Sequence, residues 1–231
     1  AIGFPGKLDE DWQAVHDKLE SGRVNDWPQQ GVCSTPFVEG DRLYYTSNQA
    51  KIVALDVAGL KNGNEGVTDE KETSATDGDV IWSFDLMGEA DVFPHNLAAS
   101  SPLVVDGIRY ATTGNGVDEG HVNIPSPLAP SFVAIDQKTG KLVWESAEPG
   151  SKIIHGNWSN AAYGLVKGKP QVVFGGGDGW VYSFEPKTGK LIWKFDANPK
   201  DAVYRLGGSG TKNDIIATPV VYDDKVFIGV G

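Results

Sequence analysis

The chain has 231 residues, 40% of them hydrophobic and 22% charged, with a formal net charge of -11 at pH 7. That size and apolar share support a packed core in one large or two small domains and argue against general disorder. The negative balance without a basic stripe argues against a nucleic-acid partner, and no apolar run reaches the ~20 residues of a membrane span.

The chain opens Ala1-Ile2-Gly3-Phe4-Pro5 without an initiating Met, as a processed or truncated start would. Trp12, Val15, His16 and Leu19 then recur at helical spacing over 9–21, with Asp9 as N-cap and Gly22 as stop. Residues 1–30 are therefore expected to be a lead-in with one short amphipathic helix. Cys33 is the only cysteine, so no internal disulfide can form. In Gly31-Val32-Cys33-Ser34-Thr35-Pro36 it reads as a small, buried strand residue.

From here the chain repeats. Four segments begin alike, at Ser34-Thr35-Pro36, Ser100-Ser101-Pro102, Asn160-Ala161-Ala162 and Ala217-Thr218-Pro219. Each leads through a polar hairpin turn into a second apolar run: Arg42–Thr46, Ile108–Thr112, Gln171–Phe174 and Lys225–Val230. The first three units add a third run (Ile52–Asp56, Phe132–Asp136, Val181–Glu185) and a fourth ending in Trp82, Trp144 or Trp193. Four short strands per unit, at roughly 50-residue intervals, predict an all-β propeller of four-stranded antiparallel blades. The expected blades are 31–86, 98–146, 158–196 and an incomplete 215–231, about three and a half in all. Such an open set implies the rest of a seven- or eight-bladed ring, or a second copy that closes it.

Lys-Thr-Gly-Lys-Leu-x-Trp occurs twice, at 138–144 and 187–193. A small third-strand residue (Ala134, Ser183) leaves space, the turn Thr139-Gly140 or Thr188-Gly189 reverses the chain, and Trp144 or Trp193 can then lie against a neighbouring blade. Ala54 and Trp82 read as the same device with its turn expanded into the long exposed loop Val57–Asp79. A second insertion, Gly116–Pro130, carries Pro125, Pro127 and Pro130 and is expected to be extended rather than helical.

With Ala-x-Asp-x-x-Thr-Gly-Lys-x-x-Trp at 134–144 and Ser-x-Glu-x-x-Thr-Gly-Lys-x-x-Trp at 183–193, the chain resembles the pyrroloquinoline-quinone-like repeat family over about residues 31–231. That family includes quinoprotein alcohol dehydrogenases and cofactor-free scaffolds, such as the propeller lipoprotein of the bacterial outer-membrane assembly machine. The body of the chain looks most like the cofactor-free repeat proteins of planctomycete-type bacteria. For a dehydrogenase, the resemblance implies that Asn115, in Gly114-Asn115, would bind calcium, and that His155 and Trp158 would lie beside the quinone. The catalytic base would be an Asp one residue after Trp158, where this chain has Ser159. The aromatic on which the quinone stacks has no counterpart in Ala98-Ala99-Ser100. A serine without a basic neighbour cannot take an alcohol proton as a carboxylate does.

Other candidates are weaker. His95, His121 and His155 sit in inter-strand loops and could bind a transition metal, but their irregular spacing favours separate, solvated or structural histidines. Gly175-Gly176-Gly177-Asp178-Gly179 reads as a hairpin turn, lacking the strand-to-helix setting of a phosphate loop. Asp77, Asp79, Asp118 and Glu119 read as solvated turn acids, and Asn157-Trp158-Ser159 is a formal glycosylation sequon.

The resulting expectation is a non-catalytic, extracytoplasmic propeller without cofactor that binds a protein partner through loops 57–79 and 116–130. The alternative is a quinone- and calcium-dependent oxidoreductase whose remaining site residues lie elsewhere.

Overall fold

The computed structural model describes residues 32–69, 74–75 and 77–231. The helix expected over 9–21 lies outside them.

Three four-stranded antiparallel sheets follow one another along the chain, each with its strands in sequence order. The first holds β1 (Phe37–Glu39), β2 (Arg42–Thr46), β3 (Lys51–Asp56) and β4 (Asp79–Asp85). The second holds β5 (Leu103–Val105), β6 (Ile108–Thr112), β7 (Phe132–Asp136) and β8 (Leu142–Ser146). The third holds β9 (Ala162–Val166), β10 (Lys169–Gly175), β11 (Trp180–Phe184) and β12 (Leu191–Asp196). A hairpin, β13 (Val220–Tyr222) and β14 (Lys225–Phe227), begins a fourth. This is the predicted partial propeller. No helix among the described residues is long and apolar enough to cross a membrane.

The inner strands read as unbroken apolar runs because each blade is covered on both faces. Side chains alternate across a strand. In β7, Val133 and Ile135 join Tyr44, Ile52, Ala54 and Trp82 of the first blade. Phe132 and Ala134 turn the other way, onto Phe174, Tyr182 and Phe184 of the third. One strand thus serves two inter-blade cores. Buried hydroxyls add to them: Thr46 Oγ1 donates to Ser100 O, and Thr112 Oγ1 to Ser159 O, each at 2.8 Å.

The strand pairing of the tryptophan is the same in all three blades. Ala54, Ala134 and Ser183 pair directly with Trp82, Trp144 and Trp193, and a register shift follows each small residue. Trp82 reaches the next blade's turn, where its Nε1 donates to Gln137 O at 3.0 Å. Trp144 does likewise, donating to Pro186 O at 2.6 Å. Both turns are closed locally: Asp136 accepts from Thr139 N and Oγ1 at 2.7 Å, and Glu185 accepts from Thr188 N at 2.7 Å. Glycine is required in them twice over. Gly140 and Gly189 have φ of 70° and 67°, and a Cβ would lie 2.7 Å and 2.6 Å from the rings of Trp82 and Trp144.

Three details differ from expectation. Cys33 is exposed, because its neighbour Ser34 takes the inward position and donates to Thr46 O at 2.8 Å. Asp79 is buried, accepting from Glu65 N at 3.1 Å where the long loop returns to β4. That loop, although exposed, is also tied back through Val67 N to Val80 O at 2.9 Å.

Candidate metal centre

Successive strands of a blade run in opposite directions. The connection from second to third strand and the connection onward to the next blade therefore leave from the same end. His95 lies in the β4–β5 connection, His121 in the β6–β7 connection and His155 in the β8–β9 connection. Topology alone brings the three loops to one end of neighbouring blades.

Backbone hydrogen bonds then sew these loops together. His95 N donates to Gly114 O at 2.9 Å, Gly116 N to Phe93 O at 3.0 Å, and Val117 N to His155 O at 2.9 Å. Asn157 closes the arrangement from its buried position. Its Nδ2 donates to Asn115 O at 2.8 Å, and its Oδ1 accepts from Gly177 N at 2.8 Å. Gly116 permits the close approach, since a Cβ there would lie 2.5 Å from His155 O and 2.6 Å from His95 Cβ.

The imidazoles meet at one point. His155 Nε2 lies 2.8 Å from His95 Nε2 and 2.9 Å from His121 Nε2. The ligand nitrogens of all three rings fall within 4.8 Å of one another. This overturns the expectation of separate histidines. Their distance along the chain, 60 residues from His95 to His155 and 34 from His121 to His155, carries no trace of the contact.

The tautomers follow from the partners. His95 Nδ1 is 2.9 Å from Val117 O, and His121 Nδ1 is 3.0 Å from Glu119 O. A carbonyl only accepts, so both Nδ1 atoms carry the proton and both Nε2 atoms, in the neutral rings, present lone pairs. Carbonyl-anchored Nδ1–H with a bare Nε2 is the usual dress of a metal-binding histidine. A single proton on His155 Nε2 can serve one of its two neighbours well. A cation among the three nitrogens serves them all.

The surroundings are rigid and graded in exposure. His95 is fully buried, while His121 and His155 are half-buried. His121 is held at φ 57°, a left-handed conformation that is uncommon for a non-glycine residue. Trp158 stands edge-on to His155 with ring centroids 5.0 Å apart. Nearby, Asp118 is occupied with its own turn. Its Oδ1 accepts from Val122 N at 2.9 Å and its Oδ2 from Asn123 Nδ2 at 2.7 Å. Desolvation raises this carboxyl, but the donors outweigh it and leave it below the ordinary carboxylate range.

Two residues at the positions implied for a quinone–calcium pair, Asn115 and Ser159, are engaged in hydrogen bonds within the protein. Asn115 is buried, with its Oδ1 accepting from Phe93 N at 3.0 Å and its Nδ2 donating to Ser126 O at 2.9 Å. Ser159 Oγ donates to Ala217 O at 2.8 Å. Among the described residues, no other group of three or more His, Cys, Asp or Glu gathers as a ligand set. Of the implied residues, His155 and Trp158 belong to the histidine centre. Asn157, which the sequence marked only as a sequon, is a buried brace.

A family profile described as outer membrane protein assembly factor BamB matches residues 66–231. Among curated relatives, the dehydrogenase subunit of the quinone alcohol dehydrogenase of Gluconobacter oxydans is 31% identical over 133 residues, 57% of this chain and 15% of the relative. Quinohemoprotein alcohol dehydrogenase ADH-IIG of Pseudomonas putida is 26% identical over 87% of this chain and 27% of its own length. The chain thus spans a small part of the relatives it matches. The solved structure of ADHIIG from Pseudomonas putida HK5 shares the fold, with a TM-score of 0.55 at 22% identity, over 87% of this chain and 28% of the other.

Proposed function

The chain belongs to the family described as outer membrane protein assembly factor BamB, a family of quinone-type propeller repeats, and on that footing we propose that this propeller segment holds a first-row transition-metal ion on its blade-end face. One observation carries the reading: three imidazole nitrogens converge, two of them with their tautomer fixed by backbone carbonyls. Imidazole suits zinc, copper, iron and nickel. Quinone–calcium chemistry is not assigned to this segment, because Asn115 and Ser159 are spent on structural hydrogen bonds.

Isothermal titration with zinc alone tests the proposal. One ion per chain is expected, with affinity falling at least about tenfold in His121→Asn and in His155→Asn, as loss of a ligand from a three-nitrogen set requires. Binding at unchanged strength in both variants would refute it.

A second reading, a protein-interaction scaffold outside the cytoplasm, is favoured by a different observation. Loop 116–130 presents Val122 and Leu128 at 67% and 89% exposure. Apolar side chains so far out on a rigid scaffold are suited to a partner. In this reading loop 57–79 forms the other part of the contact. Val122→Ser with Leu128→Ser should weaken pull-down of the native partner while leaving zinc binding intact; an unchanged pull-down would count against it.

A further inference from the structure

Building on the metal reading above, we infer that the histidine centre is open, and that the bound ion takes a small anionic oxygen or nitrogen donor, a carboxylate above all, as an exchangeable ligand.

Metal–imidazole bonds are about 2.0–2.1 Å, so two nitrogens at a right angle on one ion lie about 2.9 Å apart, and two at a tetrahedral angle about 3.3 Å. The observed contacts to His155 Nε2 are 2.8 and 2.9 Å. These two separations match right-angle neighbours, as in tetragonal or octahedral sites that hold more than four ligands or leave positions vacant, and binding all three rings requires His95 and His121 to lie within about 4.2 Å, inside the 4.8 Å that bounds the set. Among the described residues no fourth His, Cys, Asp or Glu joins the group. Asp118, three residues from His121, has both carboxylate oxygens committed to the turn that presents that histidine. Closed structural sites use four protein ligands, whereas three ligands and a solvent position mark sites that exchange.

The vacant side faces outward. His95 is buried on the protein side, and His121 and His155 are partly exposed. The half-buried indole of Trp158 stands beside His155. Charge then selects the ligand. Three neutral imidazoles leave a divalent ion its full double charge, which an anion offsets and a neutral donor does not. Small carboxylates, azide and hydroxide fit this requirement.

Copper(II) is the probe of choice, since it binds N-donor sites most strongly among these ions and favours right-angle ligands. The experiment is electron paramagnetic resonance of the copper-loaded full-length protein, titrated with acetate and with azide. Nitrogen coupling from the histidines is expected, and it should diminish in His121→Asn. Each anion should change the spectrum saturably, with one bound per copper. A nitrogen-coupled spectrum that neither anion alters would overturn the open site while leaving the metal reading intact. Absence of a nitrogen-coupled signal would overturn both, since a proton rather than a metal would then bridge the rings.

Discussion

The repeated tryptophan offers an internal control, because the same residue meets different surroundings in successive blades. Trp144 is 7% exposed, lies against the Gly189 turn and donates to Pro186 O at 2.6 Å. Trp193 is half-buried and donates within its own blade to Gln171 Oε1 at 2.8 Å. Truncating Trp144 to Ala removes up to about 200 Å² of buried aromatic surface, worth about 5 kcal/mol at 25 cal/mol/Å² as an upper limit. Core truncations of this type cost about 3–5 kcal/mol, and the lost hydrogen bond falls within that range. With a urea slope of about 2–3 kcal/mol/M, Trp144→Ala should lower the unfolding midpoint by about 1–2 M. Trp193→Ala should lower it by less than half as much. Circular dichroism is the suitable signal, since fluorescence changes with the tryptophans themselves. Equal losses at the two positions would refute the argument that contact with the next blade's turn provides the cohesion.

Two further predictions concern buried charge. Arg109 is fully buried, and burial pushes its guanidinium down to about 9; Nη2 donates to Thr46 Oγ1 at 2.9 Å, while Nε and Nη1 meet no acceptor among the described residues. Replacing a buried, poorly satisfied charge with an apolar residue of similar length is neutral or stabilising by about 1–4 kcal/mol, so Arg109→Met should unfold no earlier than the parent in urea; a clear loss of stability would show that the cation has a favourable role. Asp178 is 6% exposed, and burial pushes its carboxyl up to about 6 despite the hydroxyl of Tyr182 at 2.7 Å. Its folded pKa exceeds the unfolded value near 3.9, so this carboxyl stabilises the fold as pH falls through 6 and ceases to do so as pH rises. Relative to Asp178→Asn, the parent should gain roughly 1 kcal/mol between pH 7 and pH 5. A constant difference across that range would exclude the shift.

The blade architecture was legible because its causes are local and repeated. The unbroken apolar run Phe132-Val133-Ala134-Ile135 reports two buried faces, and Thr-Gly before Leu-x-Trp reports a turn whose glycine must accept both a positive φ and an indole. Errors arose where a residue's place depends on a neighbour that composition does not reveal. Cys33 has the composition of a buried residue, but Ser34 occupies the inward side. Asp79 looks like a turn acid, but the returning loop covers it.

The histidine centre was hidden for a related reason, and its geometry shows how such a site can be sought. Linear spacing is the signal of a metal site when one helix or one turn carries the ligands. Here each ligand comes from a different connection, so the intervals record only blade length and insertion size. What the three residues share is their class of loop. His95 and His155 lie on connections between blades, His121 lies between a second and a third strand, and antiparallel order sends all three to one end. Once a strand repeat is assigned, every loop residue has a known end of the blade and a known neighbour. Sorting histidines by that end, rather than by distance along the chain, would have gathered these three.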